Sequence, residues 1–416
     1  MRKPAVHVIG AGLAGLAAAV RLADGSREII LHEAARQAGG RCRSYYDAQL
    51  GMAIDNGNHL LLSGNHATRN FLAIIGSEDE LQGPAEADFP FFDLASKKRW
   101  RVRPNAGPLP WWIFSDSRRA PDTGWRDYLA LLHLLVPGKD RPIEAAMRCD
   151  GPLYKRLWRP FLLAALNAEP KEGSSRLAAA VVRETLAKGG SACRPLVAAH
   201  GLSAAFVDPA LRYLSERGAQ IRLDHRLRKI DFAEGRVRAL DFGEAATPLG
   251  PADQVVLAVP PLVARDLMPG LQTPESFRAI VNAHFRIVPP KDCPAILGVI
   301  NATTEWLFAF PDRLSVTISG ADRLLDAPRE ELAQKIWAEV ATAARIEKPL
   351  PPWQIIKEKR ATFAATCEEN ARRPGAATAY ANLFLAGDWT ATGLPATIEG
   401  AIRSGNRAAD LVRRSG

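Results

Sequence analysis

An α/β fold is what this sequence predicts: a Rossmann-like dinucleotide-binding domain interrupted by a second, α+β domain. Three observations carry that expectation. The chain opens on a strand, a glycine turn and a helix; its middle has helical spacing with little strand character; and it closes on a short strand followed by a long amphipathic helix.

Ala5–Ile9 is a short apolar run, Gly10–Gly15 a glycine turn, and Leu13–Ala23 an Ala/Leu-rich segment of helical composition. Glu28–Glu33 reads as a second strand ending on an acid. Tyr128–Val136, Leu153–Ala168 and Ser174–Ala187 have helical spacing, separated by Pro137-Gly138 and Gly151-Pro152. After Leu202 a helix at Ala204–Arg217 stops at Gly218. Gln220–Leu223, Arg226–Phe232, Arg236–Phe242 and Gln254–Val259 then read as strands, with Glu234-Gly235 as a hairpin turn. A mixed block at Ala283–Ser319 and a helix at Arg329–Arg345 precede the last strand, Leu383–Ala386. In the final helix, Pro395–Val412, the residues Ile398, Ala401, Ile402, Ala408, Ala409 and Val412 share one face.

The 416 residues suggest two or three domains, and 47% hydrophobic with 24% charged residues excludes wholesale disorder. No apolar run approaches the roughly 20 residues that span a bilayer, and the N-terminus lacks the pattern of an export signal. Five cysteines (Cys42, Cys149, Cys193, Cys293, Cys367) lie far apart with no CxxC pair, as expected of a reduced cytoplasmic chain without a metal site or disulfides. The net charge is +9, and Lys97–Arg119 concentrates seven basic residues with Trp100, Trp111, Trp112 and Phe114. Cations interleaved with indoles suit the surface of an anionic membrane. No nucleic-acid motif accompanies the stretch, so no nucleic-acid partner is expected.

Gly10-Ala11-Gly12-Leu13-Ala14-Gly15 fits GxGxxG between a strand and a helix, with Glu33 placed to accept ribose hydroxyls. Gly10 allows the turn, Gly12 admits a pyrophosphate to the backbone, and Gly15 lets helix and strand pack closely. A second loop, Arg36-Gln37-Ala38-Gly39-Gly40-Arg41, offers backbone N–H groups and arginines to phosphate oxygens. Far along the chain, Leu385-Ala386-Gly387-Asp388-Trp389-Thr390 places a carboxylate at a strand end just before a helix. That arrangement suits the ribityl chain and pyrimidine ring of a flavin, which makes FAD the expected cofactor.

With Val255–Pro261, these elements resemble the FAD-dependent amine oxidase and phytoene desaturase superfamily. Two segments, Asp55–Leu62 and Gly387–Ala401, are similar more narrowly to the squalene-associated branch, the hydroxysqualene dehydroxylases. The segments Val197–Leu202 and Ser63-Gly64-Asn65 depart from that branch's pattern. The resemblance implies a glutathione reductase-type FAD/NAD(P)-binding domain made of residues 1–62, 197–262 and 365–416, with a substrate-binding domain of 63–196 and 263–364. It implies FAD contacts from Gly10, Gly12, Ala14, Gly15, Glu33, Arg36, Gly39, Gly40, Arg41, Gly387, Asp388, Thr397 and Ile398, and an adenine contact from the backbone of Leu227 or, by preference, Ile230.

The implied reaction converts hydroxysqualene to squalene in squalene and hopanoid synthesis, with loss of water and hydride from N5 of the reduced flavin. Asp55 and His59 are the residues expected to supply the proton for the leaving hydroxyl: an imidazolium, or a carboxyl raised by burial, could donate it. Leu129, Leu132, Leu135, Trp158, Phe161, Leu162 and Leu163 are the apolar residues expected along a polyprenyl pocket. The expected setting is the cytoplasm at the inner face of the cell membrane, with the prenyl synthases of the same route as associates. The rival readings are a carotenoid-type desaturase, an amine oxidase, and a flavin-stabilised, non-catalytic component of a prenyl synthase assembly. The C-terminal segment lacks the paired aromatic residues usual in amine oxidases, offering only Trp389 with Tyr380 upstream, and it has no cysteine for covalent flavin attachment.

Overall fold

The computed structural model describes residues 3–243 and 245–415. A five-stranded parallel sheet forms the nucleotide layer, in the order Gln220–Arg222, Glu28–His32, Ala5–Ile9, Gln254–Leu257, Leu383–Leu385. Every residue of Ala5–Ile9 and of Gln254–Leu257 is buried, as a sheet covered on both faces requires. On one face Val6, Val8, Leu31 and Val256 pack against the helices Leu13–Leu22, Asp208–Glu216 and Ile398–Arg414. On the other, Ile9, Val255 and Leu257 meet Leu227, Ile230, Val237 and Leu240 on and beside the antiparallel strands Lys229–Ala233 and Arg236–Asp241. Glu234 and Gly235 both take positive φ (52° and 68°), the twist that a two-residue hairpin turn demands.

The second layer is a seven-stranded sheet that the sequence pattern did not announce as a unit. Its order is Trp353–Phe363, Phe277–Phe285, Arg313–Ile318, Trp306–Phe310, Ile296–Ile300, Phe89–Asp93, Arg99–Val102, antiparallel except where Phe91 runs parallel beside Gly298. One face is covered by the helix Arg329–Ala344 through Leu332, Ile336, Trp337 and Val340. The opposite face, bearing Phe91, Trp306 and Phe308, meets the helical middle of the chain through Trp158, Leu162 and Leu177.

One expected boundary moves. The helix His66–Ile75 lies within the segment assigned to the substrate domain, yet Phe71, Leu72 and Ile75 belong to the core of the nucleotide layer. Its first-turn N–H groups, at Ala67 and Thr68, donate to the buried Glu399 carboxylate at 3.0 and 2.8 Å. The nucleotide layer therefore continues past residue 63 to the strand Leu81–Gln82, which pairs with Pro195–Ala198. A carboxylate at a helix N-terminus satisfies orphan donors, and that fixes the connection.

The C-terminal helix seats against Leu13–Leu22 at a point where no side chain fits: a Cβ on Gly405 would lie well inside contact distance of the Ala14 carbonyl oxygen. Gly405→Ala is therefore expected to lower stability by roughly 2–4 kcal/mol, because overpacking against backbone cannot relax through a rotamer change. Denaturant melts of the two proteins measure this.

Candidate functional site

Two glycine loops meet at the start of the first helix. Gly39 donates its N–H to the Ala11 carbonyl at 2.8 Å and bridges Gly12 in parallel register. Gly10 (φ 104°) and Gly39 (φ 105°) hold backbone conformations that favour glycine. A Cβ on Gly15 would collide with the Gly10 carbonyl, whereas one on Gly12 would meet nothing within 4 Å. Gly12 thus borders open space at the N-terminus of a helix, with Gly40 across from it, which is the cradle a pyrophosphate requires. Glu33 is held at the rim, accepting from Ala11 N at 2.8 Å and Ala35 N at 2.9 Å, and a carboxylate so bonded retains acceptor capacity for ribose hydroxyls.

The C-terminal elements come to the same place. Arg41 pairs with Asp388 at 2.6 Å and also donates to the Ala361 carbonyl, joining the second glycine loop to the strand-end aspartate and to the seven-stranded sheet. The Arg41 side chain keeps 45% of its accessibility, so part of it faces open space. Gly387 is anchored through its N–H to Ser404 on the final helix at 2.9 Å, and Thr397 caps that helix by accepting from Gly400 N at 3.0 Å. Ile398 begins the helix, buried. The chemistry of these residues fits FAD: Gly12 leaves room in which a pyrophosphate could be held, and Glu33 and Asp388 are carboxylates that could accept hydroxyls of the adenosine ribose and the ribityl chain.

Arg36 is solvent-exposed and faces Asp224 at 3.7 Å. Ile230 sits in the hairpin ladder opposite Leu240, while Leu227, just ahead of it, has no backbone partner among the described residues.

The segment after the hairpin Ser44–Asp55 crosses beneath the seven-stranded sheet. Asn56 reaches Glu358 at 3.4 Å; Asn58 accepts nothing at Oδ1 but donates to Thr317 at 3.2 Å and, through its backbone, to Asn282 at 3.4 Å. Asp55 is buried and turned to the domain seam. It accepts from Ser44 Oγ at 2.6 Å and Leu202 N at 2.8 Å, and it faces the buried Arg313 at 3.8 Å. Burial raises its pKa against the pull of these donors. His59 lies beside Arg41, and burial followed by that positive charge lowers its pKa to about 4. It is therefore a neutral imidazole near pH 7, not the imidazolium that an unperturbed value would allow.

A wholly apolar cavity of only about 20 Å³, room for about one water, is lined by Phe89, Phe91, Trp112, Trp158, Phe161 and Trp306 among others. Of the residues expected along a polyprenyl pocket, Trp158 and Phe161 line this cavity. Leu162 and Leu163 are core residues, Leu135 is partly buried, and Leu129 and Leu132 face solvent. Helical spacing revealed an apolar helix but not which face another element would cover. Trp389 donates to the Val259 carbonyl at 3.0 Å and Tyr380 stacks on Phe232 at 4.1 Å, so the two form no aromatic pair.

Sequence reasoning missed Arg373. Its Nη2 donates to the carbonyls of Asp388 (3.1 Å) and Thr390, and to Thr392 Oγ1 (3.0 Å), moulding the loop that presents Asp388. Burial lowers its pKa to about 10, which leaves it charged at neutral pH. Nothing in Arg372-Arg373-Pro374 distinguishes one arginine from its neighbour; only the fold does. Nor does the sequence mark Glu399, within Gly387–Ala401, as the cap of a helix more than 300 residues away.

The model for flavin-containing amine oxidoreductases matches residues 13–413. Curated relatives named hydroxysqualene dehydroxylase are 58% identical in Rhodopseudomonas palustris, over 99% of each chain, and 56% identical in Sinorhizobium fredii, over 98% of this chain and 97% of the relative. This chain belongs to that family. Among solved structures, the fold matches the cyclohexylamine oxidase of Brevibacterium oxydans with a TM-score of 0.71 at 16% identity, over 99% of both chains.

Two predictions follow from this geometry. Gly12→Ala meets no protein atom, so its thermal stability without flavin should match the parent while the flavin recovered per chain falls at least tenfold; absorbance at the flavin band and a melt decide it. The buried His32 and His284 have pKa values lowered to about 2 and about 3, first by burial and then by neighbouring positive groups. Below about pH 6.5 the unfolded chain takes up protons that the folded chain refuses. Stability is thus fully present above that pH and falls as pH drops toward 3, on the order of 2 kcal/mol for each histidine by pH 5. Melts from pH 7.5 to 5 should show this slope, shallower in His284→Gln.

Proposed function

We propose that this chain catalyses the reductive dehydroxylation of hydroxysqualene to squalene, with FAD, in squalene and hopanoid synthesis. The observation that carries the reading is the near-full-length identity to relatives named hydroxysqualene dehydroxylase, together with two glycine loops and a strand-end aspartate able to hold FAD. When bound, FAD in its reduced form supplies the hydride that replaces the hydroxyl.

The protein's own residues divide the remaining work. Gly12, Gly39, Gly40 and Arg41 hold the diphosphate; Glu33 the ribose; Asp388, shaped by Arg373, the ribityl chain; Gly387, Thr397 and Ile398 the ring end. Leu227 offers its free backbone to the adenine edge in preference to Ile230. The rings of Phe91, Trp112, Trp158 and Trp306 give the hydrocarbon an apolar lining that excludes water, and such ring faces stabilise positive charge at the carbon losing oxygen by roughly 0.5–2 kcal/mol each. His59, neutral and beside the cofactor cleft, gives the proton of one ring nitrogen to the leaving hydroxyl as its other nitrogen takes one from solvent, so that water leaves and the ring ends as the other neutral tautomer. Asp55 is a positioning residue: its bonds to Ser44, Leu202 and Arg313 hold the Asn56–His59 segment in place. The enzyme works in the cytoplasm, peripherally on the inner face of the membrane where its substrate dissolves, and receives that substrate from prenyl synthases.

Anaerobic mixing of reduced, flavin-loaded enzyme with hydroxysqualene tests the reading. Flavin reoxidation in step with squalene formation supports it. A flavin that stays reduced with hydroxysqualene, while oxidised enzyme is bleached by squalene or phytoene, selects the desaturase instead. His59→Gln should lower turnover 10²- to 10⁴-fold with flavin content and melting temperature retained. Asp55→Asn should lower melting temperature as well, because Arg313 loses its buried counter-charge.

A further inference from the structure

The strongly basic stretch expected at Lys97–Arg119 does not form one surface. Arg101 and Arg103 are engaged by Asp88, Arg119 by Asp116, and Arg99 by the Ala343 carbonyl; Trp112 is turned inward. What the fold exposes instead is apolar. Trp111 is 65% accessible, and its ring lies 6.3 Å from that of Phe114, which lies 5.8 Å from that of Trp125. From Trp125 the patch continues along one helical face through Leu129 and Leu132, four and three residues on, and reaches Val136 just past the helix end, all exposed. Tyr128 and Leu134 on the other face are buried. A helical segment that is apolar on both faces needs a second apolar phase against its outer face.

The charges around the patch say which phase. Its acids are already answered within the molecule: Asp116 by Arg119, Asp122 by Arg156 at 2.7 Å, and Asp127 by the Gly124 N–H at 2.7 Å. Arg118, Arg126 and Lys139 have no ion-pair partner among the described residues, and Arg126 lies over the Trp125 ring at 5.3 Å. An exposed aromatic and aliphatic ridge with uncompensated cations is complementary to an anionic bilayer, indoles at the headgroups and leucines below them. Continuity with the apolar cavity completes the argument. Trp111 and Phe114 point outward from the same four-residue turn, Trp111–Phe114, whose Trp112 lines the cavity.

We infer that the ridge of Trp111, Phe114, Trp125, Leu129 and Leu132 inserts into the headgroup region of an anionic bilayer, and that the Trp111–Phe114 turn is the threshold across which a lipid-dissolved substrate passes to that cavity's aromatic lining. The second clause rests on the polyprenyl reading above; the first does not. No helix among the described residues is long and apolar enough to cross a membrane, so the attachment is monotopic.

The test is flotation of flavin-loaded protein with vesicles of phosphatidylglycerol and phosphatidylcholine, without substrate, comparing the parent with Trp111→Asp/Leu132→Asp. Both changes lie on the surface, so flavin content and melting temperature should be unaltered. The parent should float, and the vesicle-bound fraction should fall at least tenfold in the variant. Turnover of hydroxysqualene carried in vesicles should fall likewise, with detergent-dispersed substrate turned over at the parental rate. A parent that stays in the aqueous fraction, or a variant that floats equally well, overturns the inference. So does a parent that fails to float but is dimeric, or bound to a prenyl synthase, through these residues, since a protein then occupies the ridge. Because flotation needs no turnover, a chain that binds vesicles but converts no hydroxysqualene strikes the functional reading and leaves the docking surface standing.

Discussion

Close backbone approach at the first glycine loop is the constraint on which the rest of this structure depends. Gly15 packs on the Gly10 carbonyl and Gly405 on that of Ala14, so the N-terminal helix is clamped between the parallel sheet and the C-terminal helix with no side chain intervening. That clamp brings residues nearly four hundred positions apart into one cleft. It is why a flavin with its phosphates at Gly12 would meet the start of the helix at Ile398. The Gly39 N–H on Ala11 then adds the second loop, and Arg41 reaches from it to Asp388.

The second constraint is the seam between the two sheets. Asp55 and Arg313 face each other there, both nearly excluded from water, with Ser44 and the Leu202 N–H completing the carboxylate's bonds. A buried pair of this kind contributes little net stability, but losing one partner is expensive, so it specifies a relative placement. The placement matters because Asn56–His59 follows Asp55 directly: Asn56 and Asn58 bond Glu358, Thr317 and Asn282 of the seven-stranded sheet, while His59 lies beside Arg41 of the second glycine loop.

Much of the nucleotide half was legible in the sequence because its signals are local. A strand, GxGxxG and a helix are contiguous, Glu33 follows at the end of the next strand, and Gly387-Asp388 announces itself just before a helix. The seven-stranded sheet was not legible, because its partners are remote: Phe91 pairs beside Gly298, and Phe277 beside Phe363. Its edge strand Trp353–Phe363 also carries Lys357, Glu358, Lys359 and Arg360 in succession, which hides the alternation of a half-buried strand. Leu129 and Leu132 looked like pocket residues because periodicity marks an apolar face without saying what covers it. The protonation state of His59 was beyond reach for a related reason, since burial and Arg41 set it, and neither is a property of the neighbouring residues in sequence.

The most direct test of the central claim, that this cleft replaces a hydroxyl by a hydride delivered from the cofactor, is a single anaerobic turnover of the reduced enzyme in D2O, where the flavin N5 position exchanges. Squalene isolated by mass spectrometry should carry one deuterium, at a carbon that bore or conjugated with the lost hydroxyl. Unlabelled squalene, or a product with two hydrogens fewer than the polyprenyl supplied, would contradict it.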